Sequence, residues 1–79
     1  MINRTAFLKS IVEQFDYTTL NDLSYSKSFD EIEEWSSLVG LGVLAMIRDE
    51  YNVRLNVKDL DSVKTIEDLF QMVNKRISK

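Results

Sequence analysis

Apolar residues near the start of the chain recur at helical spacing. The stripe consists of Phe7, Leu8, Ile11, Val12 and Phe15. Such spacing places all of its members on one face of an amphipathic helix. Asn3 or Thr5 can cap the start, because a short polar side chain there accepts a hydrogen bond from a free backbone N–H. We therefore predict a first helix over residues 3–15.

The helical pattern breaks between Asp16 and Glu34, where threonines, asparagine, serines and an acidic run replace it. This composition predicts one long loop, anchored by the apolar residues Leu20, Leu23 and Phe29. We expect the acidic run over residues 30–34 to be solvated. It lacks the alternating ligand spacing and the glycine of a calcium loop, so no metal site is predicted there.

A second helix is predicted over residues 37–51, with Ser36 as its cap and Asn52 at its end. Its apolar positions are Leu38, Leu41, Leu44, Ile47 and Tyr51. Gly40 and Gly42 lie inside this helix, and each costs roughly 1 kcal/mol relative to alanine. Either close helix packing or the approach of a partner can account for them.

Two further helices complete the pattern. Asn56 can cap a short third helix that carries Val57, Leu60 and Val63, and Thr65 with Asp68 resembles a capping box for the fourth. The apolar face of the fourth helix consists of Ile66, Leu69, Phe70, Val73 and Ile77. We predict an all-α fold of four helices, with a long loop between the first two and a short third helix. With 79 residues, the chain is expected to form a single domain over 1–79.

Charge and hydropathy exclude several kinds of partner. The net charge is −3 and the ten basic residues are scattered, so nucleic acid is not an expected ligand. The longest apolar stretch, residues 38–47, is about half the length that a bilayer crossing requires. The first residues lack the pattern of a signal peptide. We expect a cytoplasmic protein that does not insert into membranes.

The chain has no cysteine and no histidine. This removes disulfides, thiol nucleophiles, imidazole bases and the usual zinc ligands. No pair of carboxylates is placed for acid–base chemistry either. We do not expect an enzyme, and any thiol chemistry requires an imported group.

The segment from Phe29 to Leu38, followed by an apolar helix that ends at Tyr51, resembles the attachment region of acyl carrier proteins. In that family an Asp-Ser-Leu triplet, often preceded by tryptophan, opens the second helix. Here the triplet is Ser36-Ser37-Leu38, preceded by Trp35. By position, Ser37 matches the serine that receives the prosthetic arm.

The resemblance continues along nearly the whole chain. Phe29 lies eight residues before Ser37, as the loop phenylalanine of the family does. Residues 51–57 resemble its aromatic residue, short turn and entry to the third helix, and Thr65-Ile66 matches its Thr-Val start of helix four. The resemblance implies an acyl-carrier-like bundle, with Phe29, Ile47, Leu60 and Val63 in its interior.

The resemblance also implies a function: a monomeric phosphoprotein of fatty acid or secondary metabolite biosynthesis. It would hold an acyl group as a thioester on 4'-phosphopantetheine at Ser37. Its partners would be the carrier protein synthase (the phosphopantetheinyl transferase) and acyl-transferring or acyl-ligating enzymes.

From the residues alone, Ser37 lies in a first helical turn, where free N–H groups favour an anion. Both serines could also be simple caps, which leaves open an unmodified protein-interaction module.

The residues expected to contact partners lie around the start of the second helix. They are Trp35, Leu38, Val39, Leu41, Gly42 and Ala45. The leucines could instead belong to the core. Ser36 stands where the family usually has aspartate. Serine keeps the capping role but lacks the negative charge. Because Val39, Gly42 and Arg48 occupy positions that are often acidic, we expect partners to be selected by shape and apolar contact.

Overall fold

The computed structural model describes residues 2–77, which contain four α-helices and no strand. The helices are α1 (Arg4–Val12), α2 (Ser37–Tyr51), α3 (Val57–Ser62) and α4 (Ile66–Ile77). Two short 3-10 helices, Leu20–Asp22 and Phe29–Glu31, lie in the long connection between α1 and α2. The predicted all-α fold with a long first loop and a short third helix is confirmed.

Local capping explains where the helices begin. Each cap side chain accepts a hydrogen bond from the backbone N–H three residues later, which satisfies one of the free donors of the first turn. The caps are Asn3, Ser36, Asn56 and Thr65, with donor–acceptor distances of 2.9, 3.2, 2.8 and 3.1 Å. The Asp68 carboxylate accepts in return from the Thr65 N–H at 3.2 Å, so the predicted capping box is present. Asn52 ends α2 in the left-handed conformation, with φ 56°.

The first helix is shorter than predicted, because α1 ends at Val12 and not at residue 15. Beyond the cap residue Glu13, the N–H groups reach back only three residues: Gln14 donates to Ile11 O and Phe15 donates to Val12 O, both at 3.0 Å. Phe15 is nevertheless buried. Its place in the apolar stripe therefore reflects burial, while the backbone has already left the α-helical conformation.

The core is built from all four helices and from the loop. Phe7 of α1 lies at its centre, with ring centroids 5.5 Å from Phe70 of α4 and 5.7 Å from Tyr51 of α2. Of the four residues expected in the interior, Phe29, Ile47 and Leu60 are buried and Val63 packs half-buried against them. Ile77, predicted on the apolar face of α4, lies at the surface.

The long loop is ordered by pairing with the start of α4. The Phe29 N–H donates to Lys64 O, and the Glu67 N–H donates to Tyr25 O, both at 2.9 Å. Leu23 and Phe29 are buried as anchors, whereas Leu20 is 39% exposed, so the prediction that it anchors the loop is wrong. Leu20 opens a 3-10 helix on the surface, where the backbone hydrogen bonds hold the chain without it.

The acidic run is not simply solvated, contrary to expectation. The Glu34 carboxylate accepts hydrogen bonds from the backbone N–H groups of residues 16–18 and from the Thr18 hydroxyl. Partial burial acts to raise the pKa of Glu34, but these donors outweigh it and lower that pKa. Glu31 accepts from the Ser28 N–H at 3.0 Å and closes a capping box. Both carboxylates therefore fix the loop that leads to α2.

The end of α1 nearest the chain start is tied to α4 by an ion pair. The Arg4 guanidinium donates to both oxygens of Glu67 at 2.7 and 2.8 Å, and it lies over the rings of Tyr25 and Phe70. These bonds, together with one from the Gln71 amide at 2.6 Å, lower the pKa of Glu67 from 4.5 to about 2.

This ion pair predicts a specific loss of stability in acid. Because the folded pKa of Glu67 lies below its unfolded value, the contribution is complete above pH 4.5 and disappears as the pH falls toward 2. Urea unfolding of the wild type should show the free energy of unfolding decreasing through this window, and Glu67→Gln should flatten the decrease. Glu13→Gln, a change at an exposed glutamate outside this ion pair, leaves the pair in place and should retain the decrease. An unchanged slope in Glu67→Gln would contradict the assignment.

None of the helices within residues 2–77 has the length and apolar character needed to cross a bilayer.

Candidate functional site

Ser37 is the first residue of α2 and its side chain is exposed. The preceding Ser36 is occupied as the cap, since its Oγ accepts from the Val39 N–H at 3.2 Å and its carbonyl accepts from the Gly40 N–H at 2.9 Å. The two serines thus have different roles. Ser36 holds the helix start, and Ser37 presents its hydroxyl at the positive end of the helix dipole.

A groove of about 430 Å³ opens beside Ser37, between α2 and α3. Its lining residues are Trp35, Ser36, Ser37, Gly40, Leu41, Leu44, Val57, Leu60 and Asp61. The walls are mostly apolar, with the two serines and one carboxylate as polar groups. The attachment candidate therefore lies directly on an apolar groove.

Trp35 forms one wall of this groove and also belongs to the packing of the loop. Its ring lies 4.5 Å from the Phe29 ring and 6.4 Å from the Phe15 ring, measured between centroids. The indole is half-buried. The position of Ser37 is therefore fixed from the loop side by an aromatic cluster that reaches the core.

The two glycines of α2 face different surroundings. A Cβ atom at position 40 would lie 3.0 Å from Leu60 Cδ2 and 3.5 Å from Trp35 Cζ2, so Gly40 permits the close approach of α3 to α2. A Cβ atom at position 42 would lie 3.0 Å from Gln14 Oε1, the end of a flexible side chain. Close packing thus explains Gly40.

This difference predicts opposite effects of the same substitution. Gly42→Ala should stabilise the chain by up to about 1 kcal/mol, because alanine favours the helix and Gln14 can rotate away. Gly40→Ala should be less stable than wild type, since the buried Leu60 must move against its neighbours. Thermal unfolding followed by circular dichroism should give a higher Tm for Gly42→Ala and a lower one for Gly40→Ala. A higher Tm for both would contradict the packing role of Gly40.

The residues predicted to contact partners fall into two groups. Leu38 and Leu41 are 78% and 54% exposed, and Ala45 continues the same face, so the interpretation of these leucines as core residues is wrong. Val39 is half-buried against the core, and Gly42 faces Gln14 of α1. The exposed group, together with Trp35 at the groove, stays our prediction for partner contact.

Sequence reasoning missed part of the groove. Val57 and Asp61 of α3 line it together with Ser37, but the sequence placed Val57 only on the third helix and did not single out Asp61. Their place depends on how α3 folds back on α2, which no local pattern specifies. The available signal was the Asn56 cap, which begins α3 and leaves Val57 in its first turn.

No cluster of acidic side chains within residues 2–77 could hold a metal ion.

A family model described as "Phosphopantetheine attachment site" matches residues 6–73. This range includes most of α1, the loop, Ser37, the groove and most of α4. Neither the search of curated proteins nor the search of solved structures found a match.

Proposed function

Because the chain belongs to the phosphopantetheine attachment site family, we propose that Ser37 bears the 4'-phosphopantetheine group and that the chain carries an acyl group as a thioester. The family consists of carriers, and the prosthetic group provides their reactive end. The observation that carries this proposal is the exposed Ser37 hydroxyl at the first turn of α2, on the edge of an apolar groove.

The residues around Ser37 fit such a group. Free N–H groups in the first turn and the positive end of the α2 dipole favour a phosphodiester at this position. The groove offers apolar walls from Leu41, Val57 and Trp35 to an attached chain. When bound, the group supplies a thiol, which this cysteine-free chain lacks. The chain itself contributes attachment and placement.

The proposed partners are the phosphopantetheinyl transferase that modifies Ser37 and the enzymes that load or remove the acyl group, in fatty acid or secondary metabolite biosynthesis. Ser36 affects recognition by the transferase. Because the aspartate usual at this position is absent, a transferase must recognise the chain without that charge, through the exposed face of α2.

Intact-mass spectrometry tests the proposal. The purified chain is incubated with coenzyme A and a broad-specificity phosphopantetheinyl transferase. We expect the mass of the chain to increase by that of one phosphopantetheinyl group. Peptide fragmentation should locate this group on Ser37. An unchanged mass, or an increment on another residue, would overturn the assignment.

A second candidate function is an unmodified interaction module, which the serine at position 36 favours. In this case partner binding would depend on the surface of α2 and not on the arm. A tagged Ser37→Ala chain used as bait in its native host would then retain the partners of the wild type. Loss of those partners in the variant would exclude the module.

A further inference from the structure

An exposed stripe on α2 begins at Ser37 and contains no carboxylate. We call it the α2 stripe, and it consists of Ser37, Leu38, Leu41, Ala45 and Arg48. Arg48 lies three turns after Ser37, about 16 Å along the helix axis. Two large apolar side chains are thus exposed beside the attachment candidate, and a cation stands at the other end.

A second cation adjoins Arg48. Arg54, which lies beyond α2, lines the same surface depression of about 380 Å³ with Arg48, Ala45 and Leu55. Arg54 has no hydrogen-bond or ion-pair partner among residues 2–77. Arg48 has one ion pair, with the exposed Asp49 at 3.8 Å, and such surface pairs contribute little.

The nearby carboxylates do not neutralise this pair of cations. Glu50 accepts a hydrogen bond from the Ser10 hydroxyl of α1 at 2.8 Å, so it faces the opposite side of α2. The dipole of α2 can account for a cation at Arg48. It does not account for Arg54, which follows the helix. The two guanidinium groups therefore form a local positive surface on a chain of net charge −3.

We propose that the enzymes acting on the arm, whose contact with the exposed leucines of α2 is already expected, also meet Arg48 and Arg54 with carboxylates. This inference rests on the proposed function, because attachment at Ser37 places the arm at one end of the stripe. The leucines provide the apolar contact, and the two arginines fix the orientation of the partner along α2. The partner surface consists of apolar side chains flanked by acidic ones.

Two helical peptides with the same leucine face test this surface, one flanked by glutamates and the other by lysines. Each is titrated into the ¹⁵N-labelled chain while the backbone amide shifts are followed. We expect the glutamate peptide to bind about fivefold more tightly, as two exposed ion pairs predict. Its shifts should be confined to residues 37–48 and 54, and added salt should weaken it.

Matched variants make the test specific. Arg48→Glu with Arg54→Glu should reverse the preference, whereas Lys58→Glu with Lys64→Glu, which changes the net charge equally on other exposed residues, should retain it. Equal or tighter binding of the lysine peptide, shifts mainly outside residues 37–48 and 54, or no binding of either peptide would overturn the proposal. Ser37→Ala removes only the attachment hydroxyl and leaves both leucines and both arginines in place, so it should bind the glutamate peptide normally. Failure of docking and failure of attachment are therefore separate results.

Discussion

Replacing Ser37 with alanine should abolish loading by phosphopantetheinyl transferase completely, while the fold stays intact. The hydroxyl is the proposed nucleophile for the phosphate, and no other group can replace it at that position. The Ser37 side chain is exposed and has no hydrogen-bond partner among residues 2–77. Alanine is also the better helix former, so the variant should be at least as stable. Intact mass reports the loading, and circular dichroism reports the fold.

Ser36→Ala is the matched control, because it removes the neighbouring hydroxyl. Its loss of the Val39 N–H bond should cost about 1 kcal/mol as a typical N-cap substitution. Loading should continue, since Ser37 keeps its hydroxyl. A mass increase that is still present in Ser37→Ala, or that is absent in a folded Ser36→Ala chain, would show that the two serines have been assigned the wrong roles.

Helix starts were predictable because capping is local. Asn3, Ser36, Asn56 and Thr65 each bond to a residue only three positions away, so the relevant chemistry lies within one short window of sequence. The end of α1 was not predictable in the same way. The apolar period continues to Phe15, since a residue can be buried from a turn as well as from a helix.

The order within the long loop depends on contacts between distant residues. Glu34 bonds to the backbone of residues 16–18, and Phe29 bonds to Lys64, so neither role can be inferred from neighbouring sequence. One signal was available: Ser28 followed three residues later by Glu31 has the pattern of a capping box. It indicated the second 3-10 helix, which a prediction of a plain loop omitted.

The candidate site shows the same division between local and distant information. The resemblance to acyl carrier proteins located Ser37 at the start of α2, and in the structure a helix begins at that residue and its side chain is exposed. The spacing between neighbouring apolar residues did not separate Leu38 and Leu41 from the core, because the apolar residues of α2 follow one another in steps of three or four. Their exposure depends on how far α3 covers α2, which is a property of the packed bundle.

The largest effect on stability is expected from Phe7→Ala. Phe7 is fully buried and contacts the rings of Phe70 and Tyr51, so it joins α1 to α4 and α2. Truncation of such a phenylalanine costs about 3–5 kcal/mol through lost transfer energy and the remaining cavity. Domains are stable by only about 5–15 kcal/mol, and small ones lie near the lower limit. Most or all of the stability of this chain should therefore be lost.

Urea unfolding at neutral pH measures the loss, and Leu20→Ala is the control. Leu20 is also apolar, but it lies at the surface of the loop, where substitutions usually change stability by less than about 0.5 kcal/mol. A Phe7→Ala chain that unfolds near the wild-type urea concentration would contradict the central position of Phe7. A large loss in Leu20→Ala would instead show that the loop anchors the bundle through Leu20, as its sequence pattern predicts.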